Sequence, residues 1–138
     1  MITTADVRDY LKDLSPAEYF YCGKLDNKPD MSLGVYSLRH TAPPVRAVGG
    51  EPTYDVIGVS VLLHWNQNAK ETELAARRLY QALYTAKDVT ISEHTVYMIE
   101  LLVSEPVDVG TDEKGVYERV IEMNLFYESL QIKSQAPK

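Results

Sequence analysis

The segment Tyr54–Trp65 constrains the fold more than any other, because Val56, Ile57, Val59, Val61, Leu62, Leu63 and Trp65 put apolar side chains at both odd and even positions. Successive side chains of a strand point to opposite faces, so apolar groups on both parities predict a strand covered on both sides, at the centre of a sheet. Two further segments alternate more cleanly. Thr95–Val103 sets Thr95, Tyr97, Ile99, Leu101 and Val103 against Val96, Met98, Glu100 and Leu102. Tyr117–Tyr127 sets Tyr117, Arg119, Ile121, Met123, Leu125 and Tyr127 against a wetter row. Both read as strands, the first with one fully apolar or aromatic face. Glu18–Cys22 and Leu33–Arg39 are shorter runs of strand formers, the second with Gly34 as a possible bulge or close approach.

Two helices frame these strands. Thr3 or Thr4 can cap a helix over residues 4–14, in which Val7, Tyr10, Leu11 and Leu14 share a face before Pro16 stops it. Asn68 followed by Glu71 is an N-cap with a capping-box partner. Behind it Leu74, Ala75, Leu79, Ala82 and Leu83 form an apolar stripe over residues 69–85, while Lys70, Glu73, Arg77 and Gln81 lie opposite, solvated or available to another subunit. His40–Thr53, with Pro43-Pro44 and Gly49-Gly50, reads as a long loop, and Ser104–Gly115, with Pro106, Gly110 and Gly115, as an exposed hairpin loop. The order of elements predicts an α+β fold: a single mainly antiparallel sheet with two helices packed on one face and long exposed loops. At 138 residues the chain suits one domain, residues 1–130, with a flexible polar C-terminal tail, 131–138.

Charge and cysteine usage exclude several classes of function. Fourteen basic against twenty acidic residues give a net charge of −6, the wrong sign for a protein that neutralises many phosphates, so no sequence-specific nucleic acid is expected as a partner. Cys22 is alone and cannot form an intrachain disulfide, which predicts a reducing, cytoplasmic setting. No apolar run reaches the ~18 residues of a membrane span, and the first residues lack a signal-peptide pattern, so no membrane partner is expected. Ten tyrosines against two phenylalanines and one tryptophan suit half-buried sheet faces and interfaces.

Chemistry-bearing motifs are absent. His40, His64 and His94 have no second ligand at metal-binding spacing, and Cys22 has no signature of a nucleophile, so all four read as ordinary sheet, core or loop residues. Glu118 and Glu122 fall on one face of the last strand, but four strand residues separate them by roughly 13 Å, beyond the ~5 to 9.5 Å of glycosidase pairs. They read as a solvated stripe or as charges presented to a neighbour. Asp108, Asp112 and Glu113 suggest a calcium loop, yet Glu113 stands where an EF-hand needs Gly and Arg119 where it needs Glu. No phosphate loop, nucleophile elbow or dinucleotide fingerprint occurs. The expectation is a non-enzymatic protein with no catalytic, metal or cofactor-binding residues and no cofactor.

Gly49-Gly50-Glu51-Pro52-Thr53-Tyr54-Asp55-Val56-Ile57-Gly58-Val59-Ser60-Val61-Leu62-Leu63-His64-Trp65-Asn66, with Glu71-Thr72-Glu73, Ala75-Ala76 and the later Gly110-Thr111-Asp112-Glu113-Lys114-Gly115-Val116-Tyr117-Glu118-Arg119, resembles the minor capsid protein family of tailed bacteriophages and prophages. Those proteins look like tail terminators, also called tail completion or head–tail joining proteins, and the resemblance runs from about Asp6 to Tyr127. It implies a virion structural protein, assembled in the bacterial host cytoplasm. Copies of the chain would close into a ring, commonly hexameric, on the tail tube and could be monomeric in isolation, with the tail tube protein and the head–tail connector protein as partners. Such a ring needs a heterologous contact, in which one patch of a subunit meets a different patch of the next. Length, polarity and Gly/Pro content point to Ala42–Tyr54 and Val107–Gly115 as contact segments. With the second helix they give the candidate interface residues Pro44, Val45, Arg46, Gly49, Gly50, Glu51, Arg77, Arg78, Asp108, Asp112 and Glu113. The alternative is a small ligand-binding or adaptor module with Trp65, Tyr97 and Tyr127 around a pocket. A hydrolase or nuclease has no motif behind it.

Overall fold

A computed structural model of the chain describes residues 1–23, 29–38 and 54–128. Its elements run α1 (Thr4–Leu11), β1 (Tyr19–Cys22), β2 (Ser32–Ser37), β3 (Tyr54–His64), α2 (Ala69–Tyr84), β4 (Thr90–Ile91), β5 (His94–Leu101), β6 (Val107–Thr111) and β7 (Tyr117–Glu128). The predicted loop His40–Thr53, with Pro44, Val45, Arg46, Gly49, Gly50 and Glu51, and the predicted tail 131–138 lie outside the described residues.

Both helices begin where their caps require. Thr3 Oγ1 accepts the Asp6 amide and the Asp6 carboxylate accepts the Thr3 amide, a reciprocal box that satisfies two amides the helix itself cannot. Asn68 Oδ1 accepts the Glu71 amide at 3.0 Å, but the Glu71 carboxylate accepts from Asn66 Nδ2 instead of returning to the cap. That second bond holds the β3–α2 connection against the first turn of α2.

β3 is central, between β2 and β7, and all eleven of its residues pair with β7. Its odd-numbered positions face the core: Val59, Val61 and Leu63 are fully buried, in register with Val35 and Leu33 of β2 and with Ile121 and Met123 of β7. The even-numbered face is not covered as expected. Leu62 is half-buried and Val56 is 37% exposed. Apolar residues on both parities therefore mark a central strand whose outer face stays partly open.

The expected architecture, a mainly antiparallel sheet with both helices packed on one face, is not what forms. Strands make up 44% of the structure, and they build a mixed sheet curled into a half-barrel. The order is β1-β2-β3-β7-β5-β4, with β6 also on β7, and β1 runs parallel to β2. Laid flat, six strands would hold the outer two about 24 Å apart at ~4.8 Å per step. An eight-residue helix is only ~12 Å long, yet α1 touches β1 and β2 at one edge and β4 at the other. The sheet must curl for that to happen. The helices consequently do different jobs: α1 bridges the two edges through Val7 and Leu11, while α2 lies against β5 and β7 through Ala76, Leu79 and Leu83. The first two residues extend the bridge. Ile2 is buried, and its amide donates to the Tyr127 hydroxyl at 3.2 Å, which burial holds above the usual tyrosine range.

The parallel pair is possible because β1 is short. Four residues cover ~13 Å, and the nine residues between β1 and β2 are long enough to carry the chain back to the start. β5 departs from simple alternation as well. A bulge between Val96 and Met98 turns two consecutive residues outward, so His94, Val96, Ile99 and Leu101 face the core and Tyr97 is 59% exposed. The predicted apolar row through Tyr97 is thus split by one residue. Ser104–Gly115 is not only loop either, for Val107–Thr111 pairs with β7 although all five of its residues are exposed.

Candidate functional site

The β6–β7 hairpin carries three of the predicted interface residues, and the structure gives them different work. Asp112 is turned into its own hairpin: Oδ1 accepts the amides of Lys114 at 2.9 Å and Val116 at 3.0 Å, and Gly115 closes the turn with φ +80, a conformation that costs glycine little. Gln67 Nε2 donates to the Lys114 carbonyl, and Tyr117 exchanges backbone bonds with Trp65 and Asn66, so the turn is tied to the end of β3. Asp112 is therefore a structural residue. Asp112→Ala is expected to lower stability by about 1–2 kcal/mol, the usual effect of losing side-chain bonds to turn amides. Urea unfolding followed by circular dichroism reads it. Asp108 caps the Gly110 amide at 2.8 Å and faces Arg119 at 3.7 Å, while Glu113 is exposed at the tip.

His64 sits beside this turn and is wholly buried, although its parity is that of the outer face. Nδ1 donates to Glu118 Oε2 at 2.9 Å, since a carboxylate only accepts, and Nε2 lies 3.7 Å from Asp112 Oδ2 with no hydrogen bond of its own. The Tyr36 ring lies over Gly34 in the neighbouring row, where an added Cβ would come within 3.0 Å of it. Burial, then the Glu118 carboxylate, pushes the Tyr36 hydroxyl above its usual range. Glu118 is thus no member of a solvated stripe with Glu122; it is the partner of a buried imidazole. His94, at the other end of the sheet, donates from Nδ1 to the Glu128 carbonyl and meets the Tyr127 ring edge-on. Among the described residues no group of three or more His, Cys, Asp or Glu side chains is placed to hold a metal ion. Cys22 is half-buried, 2.9 Å from Thr4 Oγ1.

Trp65, Tyr97 and Tyr127 do not come together. Trp65 and Tyr127 are both buried, at opposite ends of the β3–β7 ladder, and Tyr97 is outside the core. Tyr97 instead borders an open groove of ≈ 470 Å³ with Tyr84, Lys87, Val89 and Met98, between the end of α2 and the bulge of β5.

Among the described residues, two broad faces are accessible. The first is the outer face of the sheet. There Val56, Phe126 and Met98 form one apolar row, Leu62, Val120 and Val107 another, and Glu122 and the Asn124–Glu100 pair lie between them. Strand parity puts both Glu122 and Glu100 on the outward row; the bulge of β5 reverses Val96 and leaves Met98, Ile99 and Glu100 on their predicted sides. The second face is the solvent side of α2, with Lys70, Leu74, Arg77, Arg78, Gln81 and Tyr84 all exposed. Arg77 is placed as predicted but is held by Glu73 at 3.0 Å and approached by Glu105 at 3.9 Å. Lys70 and Arg78 have no ion-pair partner among the described residues.

A family model described as bacteriophage tail terminator protein matches residues 1–129 of the chain. No curated protein and no solved structure matches it.

Proposed function

The chain belongs to the bacteriophage tail terminator family, and from that premise we propose that it closes the head-proximal end of the tail. It is a structural component of the phage tail, hence of the virion, and no helix among the described residues is long and apolar enough to cross a membrane. On this reading copies of the chain, assembled in the bacterial host cytoplasm, join into a hexameric ring. The ring caps the tail tube and offers its other face to the head–tail connector. The observation that supports it, besides the family, is the presence on one chain of two unlike exposed faces, which a head-to-tail ring requires and a two-fold dimer does not. The chain then acts by shape and contact, with no catalytic step and no cofactor.

The residues predicted for the long loop belong to this proposal. Pro44, Val45, Arg46, Gly49, Gly50 and Glu51 are assigned to contacts between subunits or with the tube, on the length, polarity and Gly/Pro content of the segment. Purified chain mixed with tail tubes tests both statements by electron microscopy. Tubes are expected to gain a ring of density at one end. Deletion of Val45–Gly50 is expected to leave the thermal transition nearly unchanged and to remove the ring. Bare tubes in the presence of the intact chain would refute the capping role; a ring formed by the deleted chain would refute only the loop assignment.

A further inference from the structure

The two open faces share a layout with opposite charge. Along α2, Leu74 and Tyr84 stand ~15 Å apart and bracket Arg77, Arg78 and Gln81, with Lys70 one turn before Leu74. Across the sheet, the rows through Phe126 and Val120 stand ~20 Å apart and bracket Glu122, Asn124 and Glu100. The helix face sets Lys70, Arg77 and Arg78 against Glu71 and Glu73, with Arg77 paired to Glu73, so it is net positive through Lys70 and Arg78; the sheet is apolar, acidic, apolar. Tyr84 is 71% and Met98 49% exposed, so the apolar ends of both are wet in the single chain. We propose that these faces are the two halves of one contact between copies of the chain, α2 of one subunit lying across the outer face of β5 and β7 of the next.

Charge selects this pairing over the alternatives. Helix on helix would set the unpaired cations Lys70 and Arg78 against themselves, and sheet on sheet would do the same with Glu100 and Glu122; both are like-charge contacts, which suppress a symmetric dimer. Helix on sheet brings opposite signs together and leaves an open sheet face on one subunit and an open helix face on the other, which is the condition for continuing round a ring. The contact is also small. A sixteen-residue helix presents on the order of 24 by 10 Å, below the ~800 Å² per partner of a stable pair, which suits subunits that close on a tail tube and separate without one.

This inference rests on the ring proposed above, and the test separates the two. Chains carrying K70E/R78E or E100K/E122K are each expected to remain folded by circular dichroism and to lose tube-bound rings by about tenfold or more. A chain carrying all four substitutions is expected to regain them, because every contact in a ring uses both faces. The inference is overturned if either reversed chain closes rings normally. It is equally overturned if each fails and the combination fails too, which assigns the faces to different partners such as the tube or the connector. Absence of rings with the unsubstituted chain overturns the ring itself and this contact with it. Should a reversed chain not fold, K70Q/R78Q and E100Q/E122Q carry the same test: each is expected to weaken ring formation and to flatten its salt dependence, and unchanged salt dependence in both refutes the contact.

Discussion

Val61→Asp is expected to abolish cooperative unfolding, whereas Val56→Asp, five residues earlier on the same strand, is expected to leave the transition in place. Val61 is fully buried in a row with Val35 and Ile121, both also fully buried, so a carboxylate there meets no polar partner. An unpaired buried charge costs several kcal/mol, a large share of the ~5–15 kcal/mol that holds a domain of this kind. Val56 lies on the other parity and is 37% exposed. There the aspartate keeps its hydration, and the change is confined to about 1 kcal/mol from weaker strand propensity and lost apolar contact. Denaturant unfolding of both variants reads the difference. Equal destabilisation by the two would contradict the division of the half-barrel into a dry inner and an open outer face.

The second large effect is expected at His64. His64→Ala removes the donor that Glu118 holds at 2.9 Å and leaves space where a wholly buried ring stood, beside an Asp112 carboxylate that shapes the β6–β7 turn. Loss of a charge-assisted hydrogen bond and creation of a cavity together cost about 3 kcal/mol. For a chain of this length that is a fall in Tm of roughly 10 °C. His64→Asn, which keeps a donor amide, is expected to recover part of it. A fall no larger than that of an ordinary surface substitution would show that the imidazole does not hold the hairpin to β3.

Helix starts, the central place of β3 and the long β7 are legible in the sequence because each depends on signals a few residues apart: Thr3 with Asp6, Asn68 with Glu71, and alternation sustained over many positions. What escapes is whatever depends on partners far along the chain. Val107–Thr111 alternates Val107 and Val109 with Asp108 and Gly110 over only five residues among Pro, Gly and acidic turn signals, and is a strand through the edge that β7 offers it, and Thr90–Ile91 is too short to show any period at all. The direction of β1 depends on a return path and not on its own four residues. The curl of the sheet follows from α1 touching both edges, which no local pattern announces.

The candidate site divides in the same way. Helical periodicity puts Arg77 on the exposed side of α2, where it lies, and strand parity puts Glu122 on the outer face of the sheet. Glu100 lies on the row its alternation predicts, whereas Glu118 looks like its neighbour Glu122 until its bond to His64 is seen. Asp112 and Glu113 are adjacent acids in one polar turn, yet one is bound by two amides and the other is exposed at the tip. The spacing Asp112 to Gly115 is a turn signal in its own right, and it accounts for the bonds Asp112 accepts from the Lys114 and Val116 amides.

The central claim is that this chain joins tail to head, and electron microscopy of lysates from a phage with the gene disabled tests it most directly. The account predicts filled heads and separate tails with few joined particles, and joining restored when the chain is supplied from a plasmid. Joined particles at the frequency of the intact phage would contradict it.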